Sequence, residues 1–138
     1  HYAGLDYNEY LPLAGRLNAQ STATFSVIFR QKTMHKYGEN PEARYKRCYA
    51  TPFLWAYVMA SGDVYGCSAY LLDERFRYGN LLEESFQEIW EGERRQANFE
   101  FINKKLDIQE CRKNCRMDEA NRYLDVFHHD SIPHVNFI

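Results

Sequence analysis

The chain has 138 residues, a formal net charge of −2, and a composition that is 45% hydrophobic and 26% charged. That suffices for one ordinary domain with a real core; it excludes a disordered or collagen-like chain and leaves little room for a complete enzyme barrel. The near-balanced charge supplies no long-range attraction for nucleic acid or an anionic membrane, and no run of about 18 apolar residues, signal-like terminus or Asn-x-Ser/Thr site occurs, so the expected location is the cytoplasm.

The chain begins at His1 rather than Met, as a processed or trimmed chain would. Its first 47 residues carry seven basic and four acidic groups and read as the loosest part. Within them the β-prone stretch 21–31, with Phe25, Val27, Ile28 and Phe29, predicts a strand in need of a partner. Residues 36–46, broken by Gly38 and Pro41, read as a turn and at most a short helix.

From Tyr49 the pattern sharpens. Phe53 to Met59 is an aromatic and β-branched run; Ser61, Gly62 and Asp63 follow, then Val64-Tyr65-Gly66-Cys67. Run, turn and run predict a β-hairpin with Gly62 at the turn, Cys48 ahead of it and Cys67 just beyond. A polar connection through Asp73, Glu74, Arg75 and Arg77 leads to a turn-like Gly79-Asn80-Leu81-Leu82. Ser85 and Glu88 have capping-box spacing and start a helix with Phe86, Ile89 and Trp90 on one face, interrupted at Gly92. A second helix is expected over 94–106, burying Ala97, Phe101 and Ile102. A third is expected over 117–127, burying Ala120, Tyr123, Leu124 and Phe127. A tail, 128–138, contains Pro133 and ends in an apolar segment that would dock on the body. The fold class is α+β: a small hairpin or sheet followed by short helices, held by cysteine ligation.

Cys48, Cys67, Cys111 and Cys115 are the four cysteines. Four thiolates complete either one zinc ion or one [4Fe–4S] cluster. Two disulfides or four unligated buried thiols are the other readings of the same residues. Trp55, Tyr57, Tyr65 and Tyr70 lie near these cysteines in sequence and would exclude water or simply pack. Arg112, Lys113 and Arg116 flank the last pair and would offset thiolate charge or stay solvated. His128, His129 and His134 lack a His-Glu-x-x-His arrangement and read as surface or end-of-helix histidines, with a metal-binding tail as the other reading, and Glu83, Glu84, Glu88, Glu91 and Glu93 read as a solvated helix face.

The order of motifs adds a family resemblance. Thirteen residues separate Cys48 from Gly62 and four separate Gly62 from Cys67; Tyr78-Gly79-Asn80-Leu81, a helix with Glu88-Ile89-Trp90, and the Cys111/Cys115 pair follow. Over roughly residues 47–125 this resembles the C-terminal auxiliary-cluster module, of the SPASM or twitch type, of radical S-adenosylmethionine enzymes. The chain lacks the dense cysteine-rich segment of the seven-cysteine version, so the resemblance is to the one-cluster form, with Cys48, Cys67, Cys111 and Cys115 as ligands of one [4Fe–4S] cluster. The gap of three residues between Cys111 and Cys115 departs from the two-residue spacing common there. It matches the start of the Cys-x3-Cys-x2-Cys radical-generating loop, but Asp118 stands at the third position. The resemblance therefore implies no catalytic residue here: S-adenosylmethionine and a second cluster would belong to a barrel domain of the same protein, with residues 1–47 as its tail or bridge, 48–127 as the auxiliary domain and 128–138 as the tail. It implies oxidoreductase chemistry in the parent enzyme, electron transfer or substrate positioning for this module, and a peptide or protein substrate. A zinc-stabilised, non-catalytic protein-interaction domain is the alternative.

Overall fold

Ser85 and Glu88 cap one another: the Ser85 hydroxyl accepts the Glu88 amide at 3.3 Å, and the Glu88 carboxylate accepts the Ser85 amide at 2.8 Å. This capping box starts a helix where the sequence places one. The structure, a computed structural model, describes residues 6–129. The chain divides into two compact units, His1–Ala43 and Arg44–Ile138.

In the first unit, helices α1 (Leu13–Asn18) and α2 (Gln31–Gly38) follow a 3-10 turn, Tyr7–Tyr10, capped by Asp6. The Tyr7 ring stacks on Tyr37 of α2 at 4.2 Å. The strand expected over 21–31 does not form: residues 21–30 have no regular structure, and Phe25 and Ile28 are 62% and 82% exposed. The reason lies at the head of the segment. The Ser21 hydroxyl accepts the Val27 amide and the Thr22 hydroxyl accepts the Phe25 amide, so side chains occupy donors that a ladder would need. Gln31, at the end of that stretch, begins α2 instead.

In the second unit a three-stranded antiparallel sheet, in the order β1-β2-β3, is made by Tyr57–Val58, Asp63–Tyr65 and Arg77–Asn80. The hairpin is the expected one, with Tyr57 opposite Tyr65, Val58 opposite Val64, and Gly62 at φ +87°. Its first strand is shorter than the apolar run, because the amides of Phe53 and Leu54 bond back to Ala50 O in a turn that contains the cis peptide Thr51–Pro52.

Gly79 and Asn80, expected in a turn, lie in β3, with Gly79 opposite Val64 and Asn80 opposite Asp63. A Cβ at Gly79 would stand 2.8 Å from Ile89 Cγ1, so the glycine lets the strand pass close under the next helix. The Asn80 side chain ties the strand end to the hairpin, donating to Ser61 O and Asp63 Oδ1 and accepting the Leu82 amide. The polar connection before it closes in a 3-10 turn, Glu74–Phe76, capped by Asp73.

Helix α3 (Phe86–Glu91) stops at Gly92, as expected, and α4 (Glu93–Lys104) follows at once. The buried residues of α4 are Asn98 and Ile102; Ala97, expected inside, is exposed. Asn98 takes the inner position because it accepts the Tyr78 hydroxyl at 2.9 Å and donates to Arg75 O at 2.7 Å. Val64, Tyr78 and Ile89 form one buried group, joined by Ala56 and Trp90. Tyr65, Phe76 and Ile102 form a second, against which Cys48, Cys67, Tyr57 and Tyr70 pack. Full burial of each large apolar side chain contributes about 1.5–3 kcal/mol.

The last helix, α5 (Asp118–His129), matches the predicted segment and part of its inner face, Ala120 and Leu124 being half-buried. Asp118 and Asn121 are buried, whereas Tyr123 is 60% exposed and Phe127 is also exposed. Polar bonds to the segment around Cys48, not apolar packing, decide which side faces inward. Among the described residues no helix is long and apolar enough to cross a membrane. The expected docking of the tail, and His134 with it, lies outside the described residues apart from His128 and His129.

Candidate iron-sulfur site

Cys48 precedes the cis-Pro turn, Cys67 follows β2, and Cys111 and Cys115 flank the loop between a 3-10 turn, Ile108–Glu110, and α5. These separate segments bring all four cysteines to the lining of one cavity. All four are free thiols of intermediate exposure. The space of about 40 Å³ that they share exceeds the ~10–15 Å³ that one water needs.

Each sulfur has a hydrogen-bonding partner. Cys48 Sγ accepts the Thr51 amide at 3.5 Å, Cys67 Sγ the Ala69 amide at 3.4 Å, and Cys115 Sγ the Met117 amide at 3.4 Å. The Tyr70 hydroxyl stands 3.2 Å from Cys111 Sγ and donates to it when that sulfur is a thiolate. Amides two or three residues downstream of a cysteine follow from the local turn, so the loops that present the ligands also supply their donors. Such bonds favour the charged form of sulfur.

Burial works the other way. It pushes the Cys67 thiol up to about 11, with the Ala69 amide pulling it down and the neighbouring thiols raising it further. Burial raises Cys111 as well, against the lowering effects of the Tyr70 hydroxyl and the Arg44 charge. Without a bound cation these two sites favour the protonated thiol, and loading the site releases protons.

The aromatic residues singled out in the sequence divide by position. Trp55 and Tyr70 line the cavity, while Tyr57 and Tyr65 pack beneath it beside Cys48 and Cys67. Tyr70 lies flat on Phe76, with ring centroids 4.3 Å apart. Arg112 and Arg116 also line the cavity, and Arg112 reaches across to Ser68 O at 3.0 Å, joining the Cys111 loop to the Cys67 loop. Glu83, Glu84, Glu88, Glu91 and Glu93 are all exposed, as a solvated face requires. His129 stands 3.8 Å from Asp125 on the exposed end of α5, close to the Tyr49 hydroxyl.

Three residues at the site carry no motif in the sequence. Asn121 of α5 accepts the amides of Tyr49 and Ala50 at 2.6 and 2.9 Å and donates to Cys48 Sγ at 3.6 Å. Tyr45 donates to the fully buried Asp118, which also accepts Arg122 Nε at 2.8 Å. Arg44 is buried at the cavity wall and donates to Ile108 O, Cys111 O, Arg112 O and the Tyr45 hydroxyl. Asp118, at the position of a third cysteine in the radical-generating loop, is thus a buried hydrogen-bond acceptor beneath the site.

A family model described as SPASM, an iron-sulfur cluster-binding domain, matches residues 48–116, half of the chain. Comparison with curated proteins and with solved structures found no match. The residues fit a cluster: four soft donors line one cavity, each with a hydrogen bond, and a buried guanidinium lining the same cavity has an Nε without a partner. The matched segment begins at Cys48, ends one residue past Cys115 and contains all four thiols that line the cavity, and on this ground the chain belongs to the SPASM family of iron-sulfur cluster-binding domains.

Proposed function

We propose that Cys48, Cys67, Cys111 and Cys115 hold one [4Fe–4S] cluster, and that the chain is the auxiliary-cluster part of a radical S-adenosylmethionine enzyme. The single observation that carries the ligand set is the convergence of all four thiols on one cavity from three separate segments. The family match, to an iron-sulfur cluster-binding domain, supports a cluster over zinc.

When bound, the cluster supplies one-electron chemistry. The chain's own residues hold it in place, donate hydrogen bonds to its cysteine sulfurs, and keep water away with Trp55, Tyr70 and Phe76. In the parent enzyme the module serves electron transfer or the positioning of a peptide or protein substrate beside a barrel domain that binds S-adenosylmethionine. Four free thiols suit the reducing cytoplasm.

The test is metal analysis of protein prepared and reconstituted without oxygen. About four irons and four sulfides per chain support the proposal; one zinc with no sulfide, or neither metal, overturns it. The wider reading predicts that a barrel domain expressed with this module turns over S-adenosylmethionine, and that this chain alone does not.

A further inference from the structure

Arg44 lies outside the segment matched by the family, four residues before the first cysteine, and is only 8% exposed. Its Nη1 donates to Ile108 O at 2.8 Å and Cys111 O at 3.1 Å; its Nη2 donates to Arg112 O at 3.1 Å and the Tyr45 hydroxyl at 3.2 Å. Every one of these acceptors is uncharged. Among the described residues, Arg44 Nε is the buried side-chain nitrogen or oxygen left without any partner. The one buried carboxylate on this network, Asp118, lies beyond the Tyr45 hydroxyl and is already paired with Arg122, so the guanidinium has lost its water without a direct counter-charge, an arrangement that is costly unless an anion stands beside it. The cavity that Arg44 lines holds four thiols and no carboxylate.

We propose that Arg44 is the counter-cation of the cluster and the positioning residue for Cys111. The role rests on the four-cysteine reading above. Four thiolates around the iron-sulfur core leave it net negative, and a fixed positive charge in the cavity wall offsets that charge. By grasping carbonyls at 108, 111 and 112, the same fork fixes the loop that presents Cys111. The offset grows when the cluster takes up an electron, so Arg44 favours the reduced state and raises the reduction potential. Arg112 and Arg116, which line the same cavity but are exposed, act through water and contribute less.

The test is a redox titration, followed by electron paramagnetic resonance, of cluster-loaded wild-type, Arg44→Gln, Arg44→Lys and Arg116→Gln proteins, with iron and sulfide counted in each. At a fixed applied potential, Arg44→Gln lowers the ratio of reduced to oxidised cluster about tenfold, equivalent to about 59 mV for one electron. Arg44→Lys, which keeps the charge, stays within about threefold of wild type, as does Arg116→Gln. Four irons with an unchanged potential in Arg44→Gln overturns the role, as does an equal shift in the glutamine and lysine variants. If Arg44→Gln cannot hold the cluster, a loaded Arg44→Lys with wild-type potential supports the role. Loss of the cluster from both overturns it, leaving Arg44 a clamp on the loop. Wild-type protein without a cluster refutes the four-cysteine site itself, a result distinct from all of these.

Discussion

Replacing Asn121 with Ala removes one side chain that serves the fold and the site together. Its Oδ1 accepts the amides of Tyr49 and Ala50, and Ala50 is fully buried. A buried donor left without an acceptor costs about 1–3 kcal/mol. The partly buried Tyr49 amide recovers some of its loss from water, and the vacated volume adds a little more, giving about 2–4 kcal/mol in all. With a urea slope of about 1–3 kcal/mol/M, the unfolding midpoint of the metal-free chain falls by about 1–2 M. The same change removes the donor to Cys48 Sγ and frees the turn that carries it. Asn98→Ala is the matched control: it removes a buried amide with two bonds, to Tyr78 and Arg75, away from the cavity lining. Both variants unfold earlier, but only Asn121→Ala loses iron to a chelator faster under conditions where both remain folded. A midpoint unchanged in Asn121→Ala, or equal rates of iron loss from the two variants, refutes the reasoning.

A Cβ at Gly66 would overlap the Tyr78 hydroxyl, so Gly66→Ala displaces a fully buried ring and its bond to Asn98, costing about 2–4 kcal/mol; thermal unfolding followed by circular dichroism checks it. Tyr70→Phe keeps the stacking on Phe76 but removes the hydroxyl beside Cys111. The cluster is retained, with a reduced-to-oxidised ratio about three- to tenfold lower at a fixed potential in a redox titration. Burial raises Cys67 from its ordinary 9.0 to about 11. The folded metal-free chain therefore holds a proton that the unfolded chain has released, and its stability, complete below about pH 9, falls by about 2 kcal/mol as pH rises through 11. Cys67→Ala makes the fall of urea midpoints between pH 9 and 10 shallower, the remainder belonging to Cys111, which burial also raises; above 10, Tyr45, pushed up to about 12 by burial, adds a fall in the same direction.

Local chemistry made some elements legible in the sequence and hid others. The capping box at Ser85, the stop at Gly92 and the hairpin turn at Gly62 rest on interactions within a few residues, and each was readable. Gly79 was misread as a turn glycine because its requirement is set by Ile89, ten residues away. The β-prone run at 21–31 had the composition of a strand, but Ser21 and Thr22 took its amides. The inner face of α5 defeated an apolar-periodicity rule because Asp118 and Asn121 answer to Tyr45, Tyr49 and Ala50, more than 70 residues earlier. The cysteines were conspicuous as ligands from type and number alone. Their helpers Arg44, Tyr45 and Asn121 were not, since common residue types at long sequence separation leave no pattern until the chain folds.

The central claim is that Cys48, from one end of the domain, and Cys111, from the other, bind the same centre. Iron content and the absorption spectrum of Cys48→Ala and Cys111→Ala, each reconstituted without oxygen, test it most directly. The account predicts that either substitution alone destroys the wild-type complement of about four irons and its spectrum. A full, spectroscopically unaltered cluster in either variant would contradict it.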